Sequence, residues 1–169
     1  SAGDLGRAIP LYERTLDERK RVLGGEHPDT LTSRNNLAYA YGAAGDLGRA
    51  IPLYERTLDE RERVLGDEHP DTLTSRNNLA CAYESAGDLG RAIPLYERTL
   101  DERKRVLGGE HPDTLVSRNN LAGAYESAGD LGRAIPLYER TLQDCERVLS
   151  PSHPLIVLVQ ENLDRARSA

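Results

Sequence analysis

The 169-residue chain carries 22 Lys and Arg against 28 Asp and Glu, a net charge of -6, with 30% charged and 38% apolar residues. That length suits one domain or one repeat array, and the longest apolar run, Leu155 to Val159, is far short of the ~18–20 residues that cross a bilayer. An acidic balance without a basic stripe argues against a nucleic-acid partner, and Cys81 and Cys145 are too few for a disulfide framework, which fits a reducing, cytoplasmic setting. No charged-then-apolar leader is present, and a start at Ser1 without Met is what an excised fragment would show.

The chain repeats itself. Segments 3–44, 45–86 and 87–128 superimpose without a gap at a period of 42, and a fourth copy, 129–169, diverges from Gln143 onward. Divergence at one end is expected of a capping unit, which meets solvent instead of a neighbour. The first predicted helix runs from Asp4 to Leu23 with the apolar stripe Leu5, Ala8, Ile9, Tyr12 and Leu16. Its counterpart in the next copy starts after the N-cap Asp46, ends at Leu65 and is closed by Gly66. Leu47, Ala50, Ile51, Tyr54, Leu58 and Leu65 mark its buried face. Pro52 falls in an early turn with Gly48 at the crowded position four residues back, so the helix continues through it. Arg56 with Glu60 and Asp59 with Arg63 form i,i+4 pairs on the wet face. After the Gly66–His69 loop, Pro70 is a first-turn proline and a helix follows to about Ala86, striped by Leu73, Leu79, Ala80 and Tyr83. No segment alternates as a strand does, so the chain is all-α.

Arg34-x-x-Leu37-Ala38-x-x-Tyr41, then Gly45-Asp46, then Ala50-x-x-x-Tyr54 resembles the tetratricopeptide pattern of large-x-x-Leu-small-x-x-Tyr followed by Ala-x-x-x-aromatic. The 42-residue period exceeds the usual 34, and the long form resembles kinesin-light-chain-type repeats and the arrays attached to bacterial signalling ATPases. The resemblance implies a right-handed α-solenoid of antiparallel helix pairs whose concave groove binds peptides or partner proteins. Arg34 replaces the family's bulky apolar first residue, so packing there must differ. The organisation expected is an unpaired second-type helix (1–26), three helix pairs (27–68, 69–110 and 111–152) and an unpaired first-type helix (153–169).

The first three copies differ at six places: Lys20/Glu62/Lys104, Gly25/Asp67/Gly109, Thr32/Thr74/Val116, Tyr39/Cys81/Gly123, Gly42/Glu84/Glu126 and Ala43/Ser85/Ser127. Glu62 and Asp67 fit neutral surface drift. The other four share one face of the first-type helix with Asn77, away from the apolar stripe. Drift explains such a face if nothing restrains it, but the equally wet face of the other helix varies only at position 62. The candidate ligand face is therefore Thr32, Asn35, Tyr39, Gly42 and Ala43; Thr74, Asn77, Cys81, Glu84 and Ser85; and Val116, Asn119, Gly123, Glu126 and Ser127. Asn35, Asn77 and Asn119 suit a peptide backbone because an amide both donates and accepts. Asn36, Asn78 and Asn120 share that task or bond between helices, and the survival of Asn162 in the divergent last helix favours the latter. Kinesin-light-chain-type grooves that take acidic peptides carry basic residues near this stripe, where Thr74 and Glu84 stand here.

No catalytic constellation is visible, and no cofactor is expected. His27, His69, His111 and His153 recur in successive loops, too far apart to converge on one metal when packed helices lie ~8–10 Å apart. His-Pro-Asp at 27, 69 and 111 is also similar to the co-chaperone J-domain loop, which would occur once beside a basic face. Cys81 and Cys145 lack the neighbours that make a thiolate nucleophile. The expected function is non-catalytic binding of a peptide or protein; the alternative is a spacer or self-assembling module with an empty groove. Weak head-to-tail self-association is expected as well, between the stripe of the first helix and Ile156, Leu158 and Val159 of the last.

Overall fold

In the computed structural model, residues 2–169 are described, with side chains from Gly6 onward, so Leu5 of the predicted first stripe lies outside the described side chains. The described residues form eight α-helices and no strand. They divide into two compact units, one ending at Gly87 and the other spanning Asp88–Ala169. The first unit holds α1 (Ala2–Leu23), α2 (Pro28–Ala43), α3 (Leu47–Leu65) and α4 (Pro70–Ser85). The second holds α5 (Leu89–Leu107), α6 (Pro112–Ser127), α7 (Leu131–Val148) and α8 (Pro154–Ser168). The boundary between the units falls inside the predicted 69–110 helix pair.

Two capping devices start the helices. In α2, α4, α6 and α8, a His stands at the N-cap, a Pro opens the helix, and the imidazole Nδ1 accepts an amide from two residues on at 3.2 Å. In α3, α5 and α7 an Asp carboxylate caps instead, receiving the amide of Arg49, Arg91 or Arg133. Pro52, Pro94 and Pro136 lie inside these helices without ending them. Gly66 (φ 90°) closes α3 in a conformation that only glycine adopts easily, and its N–H donates to the Glu62 carbonyl. In the fourth copy the helix ends one residue earlier, at Val148, and Leu149 caps it in extended backbone (φ -105°), part of the divergence that begins at Gln143.

Within each unit the apolar stripes meet, with Leu47, Ile51 and Leu65 half-buried and Tyr12 of the first stripe exposed. Leu31, Leu37, Ala50, Tyr54, Leu58, Leu73 and Leu79 are buried in the first unit, and Ala92, Leu100, Leu115, Leu121, Ala134 and Tyr138 in the second. The core is not purely apolar. Arg34 is 1% exposed and donates to Glu60 at 2.6 Å and to the Gly25 carbonyl at 3.4 Å; Arg118 repeats the arrangement with Asp144 and Gly109. This is how the chain fills the position where its pattern departs from a bulky apolar residue: with an ion pair sealed by a carbonyl.

A second arginine staples the loops before α2, α4 and α6, and it is buried in the latter two. Arg61 donates to the Asp71 carbonyl at 2.8 Å, to Ser75 Oγ at 2.9 Å and to Thr32 Oγ1 at 3.0 Å. Arg19 and Arg103 make the corresponding bonds to Ser33 and Ser117. Two surface expectations are corrected. Glu62 is not neutral drift, because it pairs at 2.7 Å with Arg76, a fully buried cation. Arg63 does not pair with Asp59; it reaches Glu26 across the loop at 2.5 Å, a partner that spacing along one helix could not reveal.

Candidate functional site

The first-type helices α2, α4 and α6 owe their placement to these devices. The His cap and Pro set where each begins, the Arg staple ties its first turn to the preceding helix, and its buried Arg locks the middle. What is left over is the face of predicted site residues. Tyr39, Asn36, Ala43, Thr74, Ser85, Val116 and Ser127 are exposed. Thr32, Asn35, Gly42, Asn77, Asn78, Cys81, Glu84, Asn120, Gly123 and Glu126 are half-buried.

The asparagines form an inter-helix ladder. Asn78 donates to Asn35 Oδ1 at 3.3 Å in the first unit, and Asn162 donates to Asn119 Oδ1 at 3.1 Å in the second. Asn78 and Asn162 therefore bond between helices, the alternative favoured by the survival of Asn162, while Asn36 is exposed. Asn119 departs from expectation: it is buried and does not open onto solvent. Asn77 points along its own helix toward Cys81 Sγ at 3.8 Å. Thr32 is drawn into the Arg61 staple, and Thr74 returns its hydroxyl to the Pro70 carbonyl at 2.9 Å.

The two units treat one feature of this face differently. In the second unit Tyr138, fully buried, donates to Glu126 Oε2 at 2.9 Å, and Arg165 grips both Glu126 oxygens at 2.8 and 3.1 Å. Arg165, helped by Tyr138 and opposed by burial, holds the Glu126 carboxyl below its usual range. In the first unit Gly42 stands where Glu126 does and Cys81 where Arg165 does, each 84 residues earlier. There a cavity of about 220 Å³ opens, lined by Tyr39, Gly42, Tyr54, Asn78, Cys81 and Ser85 among others. Tyr54, the counterpart of Tyr138, is 4% exposed, and burial raises its phenol. Tyr54, Tyr138 and Arg165 were absent from the expected face. The 42-residue register was the available signal for Arg165, hidden by the divergence of the last copy.

The remaining chemistry-bearing residues are structural. Each His accepts its own N-cap bond, and among the described residues no group of His, Cys, Asp or Glu is arranged to hold a metal ion. Cys145 is fully buried, and burial pushes its thiol up, away from the reactive thiolate. No described helix is long and apolar enough to cross a membrane.

Comparison with known proteins agrees with this architecture. The tetratricopeptide-repeat family model matches residues 1–59, 43–104 and 91–147. The chain is similar to a crystal structure described as a kinesin light chain from Podosopora anserina with nearly identical TPR-like repeats. The identity is 32% and the TM-score 0.84, over 98% of this chain and 79% of that one. A single-substitution variant of the same protein matches at 32% identity and a TM-score of 0.85, over 98% and 78% of the two chains. BtubC (BKLC) from P. vanneervenii matches at 25% identity and a TM-score of 0.85, over 98% of this chain and 66% of that one. A search of curated proteins finds no match. With all four copies built on one helix-pair plan and the family model tiling most of its length, the chain belongs to the tetratricopeptide-repeat family, a scaffold fold of helical repeats.

Proposed function

We propose that the chain is a non-catalytic scaffold that binds a peptide or protein partner along the face of its first-type helices. One observation carries this reading. Among three nearly identical copies, substitution is concentrated on one accessible face of α2, α4 and α6, while the buried Arg, Asn and Leu positions of the same helices do not change. The exceptions are Glu62, near the end of α3 and paired with buried Arg76, and Asp67, in the loop that follows. Repeats that keep a common interior and diversify one face present a graded series of side chains to an extended ligand. Tyr39, Thr74, Val116 and Ser127 are among its exposed members.

Peptides selected from a random dodecamer library and measured by isothermal titration test the proposal. Thr74→Arg with Val116→Arg places bulk and charge on exposed positions, and at least a tenfold weakening with unchanged Tm is expected. Selected peptides that bind this variant as tightly as the parent would remove the face from consideration.

A second reading, weak head-to-tail self-association, loses Leu16 and Val159 of the expected contact, which are buried, and draws on apolar exposure elsewhere on the same two helices. Tyr12 is 39% exposed on α1, beside open Leu11, and Val157 and Leu158 are open on α8. Light scattering over a hundredfold concentration range should show growing mass that Leu11→Asp abolishes; a constant monomer mass defeats it.

A further inference from the structure

We infer that the cavity closed by Tyr54 in the first unit is a specificity pocket for an uncharged carboxamide of the bound partner, such as a glutamine or asparagine side chain. This rests on the ligand-face reading above and states what one part of that face takes.

The second unit shows how this place is completed when the chain supplies everything itself. A buried phenol donates to a carboxylate, and an arginine neutralises that carboxylate: Tyr138, Glu126 and Arg165. The first unit keeps the phenol and deletes both other members. Tyr54 is as deeply placed, yet its hydroxyl has no hydrogen-bond partner among the described residues, and Gly42 and Cys81 leave open space over it. The ring is buried while the hydroxyl opens on the cavity, where water or a ligand atom accepts from it. At about 220 Å³ the cavity is smaller than the usual small-molecule site and suits one side chain of a larger ligand.

The lining selects the chemistry. Tyr54 offers a donor. Ser85 spends its proton on the Cys81 carbonyl at 2.8 Å, which leaves its oxygen to accept. Asn78 gives one amide N–H to Asn35 and keeps its carbonyl oxygen to accept and its second N–H to donate. This mixture of donors and acceptors matches a carboxamide, which presents one oxygen and two N–H groups. A carboxylate presents acceptors only. It would also arrive without a counter-ion, because no Lys or Arg lines the cavity and Cys81 stands where Arg165 neutralises Glu126. An ammonium or guanidinium group would leave Tyr54 unanswered.

The test uses the full chain, ¹⁵N-labelled, titrated with propionamide and separately with propionate while amide shifts are followed. Propionamide should give saturable shifts at Gly42, Cys81 and Ser85 and none around Glu126 and Arg165, with propionate at least tenfold weaker. Gly42→Glu is the filling control. A side chain there meets only the Ala50 methyl, at the ordinary contact distance of 3.8 Å, so the helix accepts it and the new carboxylate should occupy the cavity and abolish the shifts. Tyr54→Phe keeps the ring, removes the donor and should weaken propionamide at least tenfold; it serves equally if Gly42→Glu does not fold. Absent saturable shifts, propionate binding as well as propionamide, or propionamide binding unchanged in Tyr54→Phe would each overturn the proposal. Selected peptides separate it from the broader reading. If they bind the parent and Gly42→Glu alike, the pocket falls and the ligand face stands. If propionamide titrates as expected while no peptide is ever selected, the pocket stands and the ligand face falls.

Discussion

At one place in the repeat, the first unit buries Arg61 beside Ser75, and the second buries Cys145 beside Val159, each 84 residues later. The arginine is held by a carbonyl and two hydroxyls, without a carboxylate among these bonds, and its Nε is buried with no partner. Burial lowers its pKa, partly offset by nearby Asp71. The Cys–Val pair fills the same position with no polar group to satisfy. The contrast teaches that the site requires closure, and that polarity is an option only when both partners agree. A guanidinium facing Val, or Ser facing a short thiol, would leave a donor or acceptor stranded.

Mismatching the pair gives the largest expected effect. Cys145→Arg sends a guanidinium toward Val159 with no hydroxyl to receive it, and should cost ~3–5 kcal/mol in urea unfolding. Adding Val159→Ser should recover a substantial part; no recovery would mean that the serine is incidental. The converse exchange, Arg61→Cys with Ser75→Val, moves the second unit's solution into the first. Replacing a buried charge by packed apolar groups is often neutral or stabilising by ~1–4 kcal/mol, so the double variant should unfold at equal or higher denaturant. A marked loss would show that the staple contributes net stability. Ser75→Val alone should be destabilising by ~1–2 kcal/mol, because it strips one acceptor from an arginine already short of partners. The double-mutant cycle should then show clear coupling between the two positions.

These pairs were hard to read in the sequence for a physical reason. Arg61 and Ser75 lie 14 residues apart across a loop, and each alone is an ordinary surface residue. The helices were legible because their signals are local: Pro70 at a start, Asp46 as a cap, Gly66 at an end, and a stripe every three or four residues. The departure at Arg34 was legible as a departure, but its partner Glu60 sits 26 residues on, where its spacing to Arg56 points only to a pair on the wet face. Of the candidate site, the accessible face was legible from where near-identical copies differ. Its depth was not: Asn119 is buried by contacts from the next repeat. The Tyr54 cavity comes from what Gly42 and Cys81 lack, and a missing side chain leaves no motif.

Acid should separate the two kinds of buried arginine with the smallest effect. Burial alone would raise the Glu60 and Asp144 carboxyls, but Arg34 and Arg56, and Arg118 and Arg147, outweigh it and hold both below their ordinary values. A carboxylate whose folded pKa is lowered stabilises above its unfolded pKa, about 4, and loses that contribution as pH falls through the lower folded value. Tm should therefore decline progressively below about pH 4, and Glu60→Gln with Asp144→Asn should start lower and flatten that decline. The difference between the parent and the Arg61→Cys, Ser75→Val variant should change less over the same range, since its buried bonds involve no carboxylate and only Asp71 acts on the arginine through its charge.

The pairing of Glu62 with Arg76 bears on how a chain of near-copies avoids mistaking one segment for another. Interchangeable helices invite exchange between neighbouring molecules and docking out of phase during folding. At the place of Glu62, the first and third copies carry Lys20 and Lys104. If α4 were to dock on α1 or α5 as it does on α3, Arg76 would meet the lysine that Arg34 and Arg118 meet in their own copies and would lose the carboxylate now 2.7 Å away. One acidic residue thus gives the second copy an address of its own, and Glu62→Lys would erase it.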